Sequence, residues 1–367
     1  MAILLVHPHE CCSTKSPNMT QRPLDMSPMK SLVLLTGPNG FVGAHVLDLL
    51  LKNHYRVRGT VRSLSKATYF KNKYPEASAS GCLSFVAVPD IQAPGALDEA
   101  VDGVDYICHV ASPYFTSSND PIKELVEPAV NGTRNVVSSA LKSKTLKRMT
   151  IMSSFASVVD LSKNPRGGYT YTAEDWDPVT PEEAAKDGFM GYHASKTFAE
   201  RAAWEMWKEA KPDWDLVTFC PPMIYGPPMQ EVDKSKGIDG MNTSIKRLIT
   251  SVQGEDPAFK PKVATPGLPA WVDVRDVAQA HVRALALEKG VSERFLLCGG
   301  VDYFEDGLAG LRARGEKGLG EGGAHVVPGK HFGIDRSKAE EVLKLKFTPF
   351  EKTVEDSWEA VKQLGLI

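Results

Sequence analysis

Tyr192-His193-Ala194-Ser195-Lys196 places a phenol and an ammonium four residues apart. In a helix that spacing puts both side chains on one face. A free phenol has a pKa near 10 and is a poor acid–base partner at neutral pH. A neighbouring ammonium favours the phenolate and lowers that value. A lowering worth roughly 3–4 kcal/mol is within reach in a dry site. Such a pair can give a proton to the oxygen of a carbonyl under reduction. Ser153-Ser154 adds a hydroxyl that can hydrogen-bond the same oxygen as negative charge develops on it. Each part alone has a plainer reading: an amphipathic surface pair, and two serines in a turn.

Gly37-Pro38-Asn39-Gly40-Phe41-Val42-Gly43 has GxxGxxG spacing. Gly37 permits a sharp turn, Gly40 lets the backbone approach a pyrophosphate, and Gly43 lets the following helix pack closely. The helix N-terminus then offers unpaired N–H groups to phosphates. A glycine triplet by itself also fits an ordinary tight turn. The second strand ends Gly59-Thr60-Val61-Arg62-Ser63, with Lys66 four residues beyond Arg62 and no carboxylate in the turn. A guanidinium can fork onto a ribose 2′-phosphate and an ammonium can add a second charge, which predicts NADPH over NADH. The alternative is a solvated surface pair. Asp90 and Ile91, after the third strand, can meet the adenine; Asp90 can equally cap the next helix. His109 ends the fourth strand and reads as a packed core residue.

These residues need a scaffold that delivers strand ends to one edge. Leu32–Leu35 is a short apolar run ahead of the glycine loop, and Phe41–Lys52 carries a helical apolar stripe of Val42, Val46, Leu49 and Leu50. Strand-like runs recur at Tyr55–Val61, Leu83–Val88, Val104–Val110, Met149–Met152 and Leu216–Cys220, with helical stretches between most of them. The alternation predicts an α/β fold, a Rossmann-type doubly wound parallel sheet. Beyond Pro221 helices are expected at 241–252 and 273–288, in a smaller C-terminal substrate-binding lobe. The expected division is an N-terminal extension over 1–30, a nucleotide-binding domain over 31–225 to which 270–300 returns, and a lobe over 226–367. Residues 1–30 hold Pro8, Pro17, Pro23 and Pro28 with little periodicity, so they read as disordered. Met29 lies just ahead of the first strand and is a candidate second start. The stretch 299–329 holds ten glycines and resists assignment.

Composition narrows the partners. The chain has 367 residues, 42% of them hydrophobic, and a net charge of −2. No overall basic field is available to hold nucleic acid or an anionic membrane. The apolar run from Ala2 to Val6 is shorter than a signal-peptide core. The six cysteines, at 11, 12, 82, 108, 220 and 298, form no CxxC pair and no zinc-spaced cluster, so no metal is expected. A reduced, cytoplasmic setting follows. Sequons begin at Asn18, Asn131 and Asn242 and read as chance matches.

Taken together, the chain resembles the extended short-chain dehydrogenase/reductase family, and within it fungal NADPH-dependent methylglyoxal and aldehyde/ketone reductases, with plant dihydroflavonol reductases more distant. The resemblance rests on TGPNGFVG at 36–43, GTVRSLSK at 59–66, VPDI at 88–91, HVASPY at 109–114 and PAVNGT at 128–133. It continues in MSSFASV at 152–158, YHASK at 192–196, PPMIYGP at 221–227, NTS at 242–244 and WVDVRDVAQAH at 271–281. It implies Tyr192 as proton donor, Ser154 as its hydrogen-bonding partner and Lys196 as the ribose-binding activator. It implies an NADPH/NADP+ site made by Gly37, Asn39, Gly40, Phe41, Val42, Arg62, Lys66, Asp90, Ile91, Tyr192, Lys196, Ile224 and Ser244. It offers Asn131 as a minor candidate for a proton relay, and Asp273 and Arg275 as structural. Tyr114, Phe155, Val159 and Met223 become candidates for an apolar substrate pocket. Pro38 stands where the family more often has Ala, which removes one N–H from the phosphate loop.

The expected activity is NADPH-dependent reduction of a ketone or aldehyde, with tailoring of a polyketide-like metabolite among the options, by a monomer or homodimer. The alternatives are an epimerase or dehydratase that retains its nicotinamide, and a non-catalytic NADP-sensing protein.

Overall fold

The computed structural model describes residues 30–111, 118–163, 166–254, 270–301, 304–320 and 332–367. Tyr114, residues 1–29 and part of 299–329 lie outside the described residues.

Seven parallel strands form the main sheet: β1 (Lys30–Thr36), β2 (Tyr55–Val61), β3 (Leu83–Ala87), β4 (Tyr106–His109), β5 (Arg148–Met152), β6 (Asp215–Cys220) and β7 (Glu293–Leu296). Their order is β7-β6-β5-β4-β1-β2-β3. The order reverses at β1, between β2 and β4, and a crevice opens outside the carboxyl ends of the strands at such a point. Most of their buried positions are apolar because both faces are covered, and the buried charges Arg148, Asp215 and Arg294 are paired. Successive side chains alternate: Leu34 packs with the helices Glu127–Lys142 and Gly188–Ala210, whereas Val33 and Leu35 pack with Phe41–Lys52 and Val274–Ala284.

A separate apolar cluster joins Tyr225, Ile245, Leu248, Trp271, Leu308, Phe350, Val354 and Trp358. It binds the helices Thr243–Val252, Phe304–Ala313 and Phe350–Gln363 to the short sheet of Met223–Tyr225, Ala270–Asp273 and Gly300–Val301. Asp273 is fully buried and clamps the pieces. It accepts the Arg275 backbone N–H at 2.8 Å, the Arg275 Nη2 at 2.7 Å and the Thr353 hydroxyl at 2.7 Å. Arg275 also reaches Asp356, so the Asp273–Arg275 pair ties the last helix to the strand beside the site. The uncertain stretch after 299 contributes the strand Gly300–Val301 and the helix Phe304–Ala313. No helix among the described residues is long and apolar enough to cross a membrane.

Candidate active site

The loop after β1 explains its glycines one at a time. Gly37 has φ +68°, and a Cβ there would stand 2.9 Å from the Ala111 Cα. Gly43 passes so close to the Gly37 carbonyl that a Cβ would meet it at 2.0 Å. Its smallness therefore serves the loop's own turn, not the helix–sheet contact expected of it. Gly40 differs: a Cβ there would meet only the Gly37 oxygen, at an ordinary 3.5 Å. The protein's own packing does not demand glycine at 40, and the open side faces a cleft. Gly40 is also the N-cap of the Phe41–Lys52 helix, whose first turn has no acidic side chain. This is a cradle suited to a pyrophosphate.

Across the switch point, Thr36 Oγ1 accepts the Val110 and Ala111 N–H groups, each at 3.1 Å. Its own proton therefore goes to His109 Nδ1, 2.9 Å away, which leaves the His109 proton on Nε2. Burial, with the Lys196 charge adding to it, pushes His109 down to about 4. His109 is a neutral brace between the ends of β1 and β4, as its core reading anticipated.

The cleft holds about 1500 Å³, above the ~300–1,000 Å³ of common small-molecule sites. That is room for a dinucleotide and a second molecule. The strand order puts the glycine loop, Arg62, Lys66, Asp90 and Ile91 toward one side of the cleft and Ser154, Phe155, Met223 and Ile224 toward the other; Tyr192, Lys196 and Ser244 also line it. Arg62 and Lys66 are both exposed, Lys66 within a short 3-10 turn, Leu64–Ala67, and both line the cleft. Asp90 lines the cleft, and its Oδ1 accepts the Gln92 N–H at 2.9 Å within a turn; it does not cap the next helix, which starts at Asp98 behind Leu97.

The Gly188–Ala210 helix starts a turn earlier than the Tyr192 start read from sequence. Asp187 caps it by accepting the Met190 N–H at 2.8 Å. Tyr192 and Lys196 therefore sit in well-formed helix. The Tyr192 hydroxyl lies 3.4 Å from Ser154 Oγ, a loose donor contact of the kind that tightens when a substrate oxygen arrives. Ser154 is fixed as the N-cap of the Phe155–Ser157 turn, its Oγ accepting the Ala156 N–H at 3.1 Å. The Lys196 ammonium stands 5.6 Å from the centre of the Tyr192 ring. Lys196 is 8% exposed, and burial pushes its ammonium down to about 8. The arrangement can hold a carbonyl oxygen between two hydroxyls beside a cation.

Two expected residues fall elsewhere. Val159 is fully buried with Tyr171 and Phe332, because the Phe155–Ser157 turn carries the chain back into the core. It does not line the cleft. Asn131 is on the exposed side of its helix, also away from the cleft. The sequence reading missed Phe189, His193 and Arg247, which do line it. Phe189 stands three residues before Tyr192, so the helical repeat was a signal for it. Of the two serines named from the sequence, Ser153 turns its hydroxyl inward to the buried Glu200 at 2.6 Å, whereas Ser154 is the one within reach of Tyr192.

Residues 33–299 match the model of the NAD dependent epimerase/dehydratase family. A protein of Schizosaccharomyces pombe named as an uncharacterized oxidoreductase, C513.07, is 42% identical over 74% of this chain and 78% of its own length. The ketoreductase azaE of Aspergillus niger is 33% identical over 90% of this chain and 98% of its own. The crystal structure of yeast methylglyoxal/isovaleraldehyde reductase Gre2 complexed with NADPH superposes with a TM-score of 0.78 at 29% identity, covering 92% of this chain and all of that one. By the extent of the family match and the identity to these relatives, the chain belongs to the NAD dependent epimerase/dehydratase family of extended short-chain dehydrogenases/reductases.

Proposed function

We propose that the protein is an NADPH-dependent reductase of ketones or aldehydes. The observation that carries this reading is the meeting, in one cleft, of a glycine cradle and two cations with Tyr192, Ser154 and Lys196. NADPH, when bound, supplies the hydride for the carbonyl carbon. Gly37, Asn39, Gly40, Phe41 and Val42 wrap the pyrophosphate, with Ser244 opposite. Arg62 and Lys66 take the 2′-phosphate, and Asp90 and Ile91 border the adenine. Ile224 borders the nicotinamide end.

Tyr192 gives its hydroxyl proton to the carbonyl oxygen. Ser154 donates a hydrogen bond to the same oxygen and fixes its position. Lys196 holds the ribose hydroxyls and favours loss of the Tyr192 proton through its charge. Met223 borders the substrate, and Phe155 backs the cleft from the core, its buried ring packed on those of Tyr171 and Phe332. Tailoring of a polyketide-like metabolite suits this apolar wall and the likeness to a ketoreductase. The cysteines among the described residues, at 82, 108, 220 and 298, are free, which suits a cytoplasmic setting.

The test is nucleotide preference. A charge-assisted bond to the 2′-phosphate contributes about 1.5–3 kcal/mol. Arg62→Ala should therefore reduce the kcat/KM ratio of NADPH to NADH by about 10–100-fold. An unchanged ratio would refute the assignment of Arg62.

A further inference from the structure

Phe189 is 49% exposed, and it lines the cleft from the first turn of the helix that carries Tyr192. Among the described residues, the other large apolar side chains left exposed are Leu64, Val342 and Ile367, and none of these lines the cleft. The position is rigid. Asp187 caps the turn, and Gly191 lies so near Pro121 that a Cβ would come within 2.5 Å of it. The Phe189 ring leans on the His193 ring, with centroids 4.8 Å apart and planes at 52°. His193 is pinned in turn: its Nδ1 lies 3.0 Å from Asp177 Oδ2, both side chains are buried, and the other Asp177 oxygen accepts the Val179 N–H. An exposed ring on so fixed a base offers its uncovered part to a partner ring.

Helix geometry sets Phe189 about one turn, roughly 5.4 Å, from Tyr192 on the same side. Phe155 follows Ser154 directly, and its N–H bonds to the Pro221 carbonyl, two residues before Met223. Leu161 and Met190 line the same cleft. These side chains carry no charge, so they offer nothing to an anionic group and favour a flat apolar one. We infer that Phe189 is a shelf for an aromatic ring joined to the reacting carbonyl directly or through one or two carbons. The preferred substrates are then aryl or arylalkyl ketones and aldehydes. This inference rests on the reductase reading above and adds the substrate class to it.

The experiment compares phenylacetone with cyclohexylacetone, two ketones of similar size with unconjugated carbonyls, and uses methylglyoxal as a ringless control. NADPH oxidation is followed with the purified full chain. A ring–ring contact favours phenylacetone by about 3–10-fold in kcat/KM. Phe189→Leu should bring the ratio of the two ketones close to one, and Phe189→Trp should preserve it, with both variants checked for native melting temperature. Equal turnover of the two ketones by wild type overturns the shelf, as does a Phe189→Leu variant that keeps the preference. Either result, with methylglyoxal still reduced, leaves the reductase reading standing. No NADPH oxidation with any of the three carbonyls overturns both.

Discussion

Lys196 and Glu200 occupy the same helix one turn apart, and both are almost completely removed from solvent. Their surroundings treat the charge in opposite ways. Burial alone would raise the Glu200 carboxyl, but the charge and hydrogen bonds of Arg294, with Ser153 and Ser157, outweigh it and hold the group below the usual carboxylate range. Glu200 accepts from Ser153 and Ser157 at 2.6 Å, from Thr218 at 2.7 Å and from Arg294 Nε at 2.8 Å. Arg294 stacks on Trp176 and bonds the carbonyls of Ala173 and Ser157. For Lys196 burial dominates, and the ammonium falls to about 8. The first charge is locked and serves the fold. The second is left near the point of titration, the condition a proton-transfer site needs.

Breaking the locked pair should have the larger effect. Glu200→Ala leaves Arg294 buried without its carboxylate, at an expected cost of about 3–5 kcal/mol, a large part of a typical domain's stability. Urea unfolding measures this. A Glu200→Ala protein as stable as wild type would mean that the network does not hold the fold together.

Removing the poised charge should act in the other direction. An ammonium with a folded pKa of about 8, against 10.5 when exposed, lets the unfolded chain bind the proton more tightly between those values. The destabilisation is complete below pH 8 and fades as the pH rises from 8 to 10.5. Lys196→Met should therefore stabilise the nucleotide-free protein by about 1–3 kcal/mol at pH 7, while ending turnover. Unfolding curves across pH check this, because the gain must shrink above pH 8. Destabilisation at every pH would show that Lys196 serves the fold as Glu200 does.

The contrast also marks what the sequence could reveal. Local chemistry was legible: the glycine loop, Arg62 with Lys66, and Tyr192 with Lys196 are short-range patterns, and each lines the one cleft. Most of the sheet was legible because strands covered on both faces are largely apolar. The seventh strand, Glu293–Leu296, was not marked as a strand run, because it begins Glu-Arg and its arginine is neutralised by Glu200, 94 residues away. No spacing rule announces such a pair. Val159 was misplaced for a related reason. Its apolar type suits both a pocket and a core, and the tight turn after Ser154 decides for the core. Phe189 was missed because the Asp187 cap, which starts the helix before Tyr192, was not read as one.

The central claim is that the Tyr192 hydroxyl supplies the proton. Rapid-mixing single turnover with saturating NADPH and ketone tests it directly, comparing wild type with Tyr192→Phe and titrating NADPH binding separately. Loss of a general acid costs about 10²–10⁴-fold in the chemical step. The account predicts a fall of that size in the rate of NADPH oxidation, with the nucleotide still bound. A Tyr192→Phe protein that oxidises NADPH with the ketone as fast as wild type would contradict it.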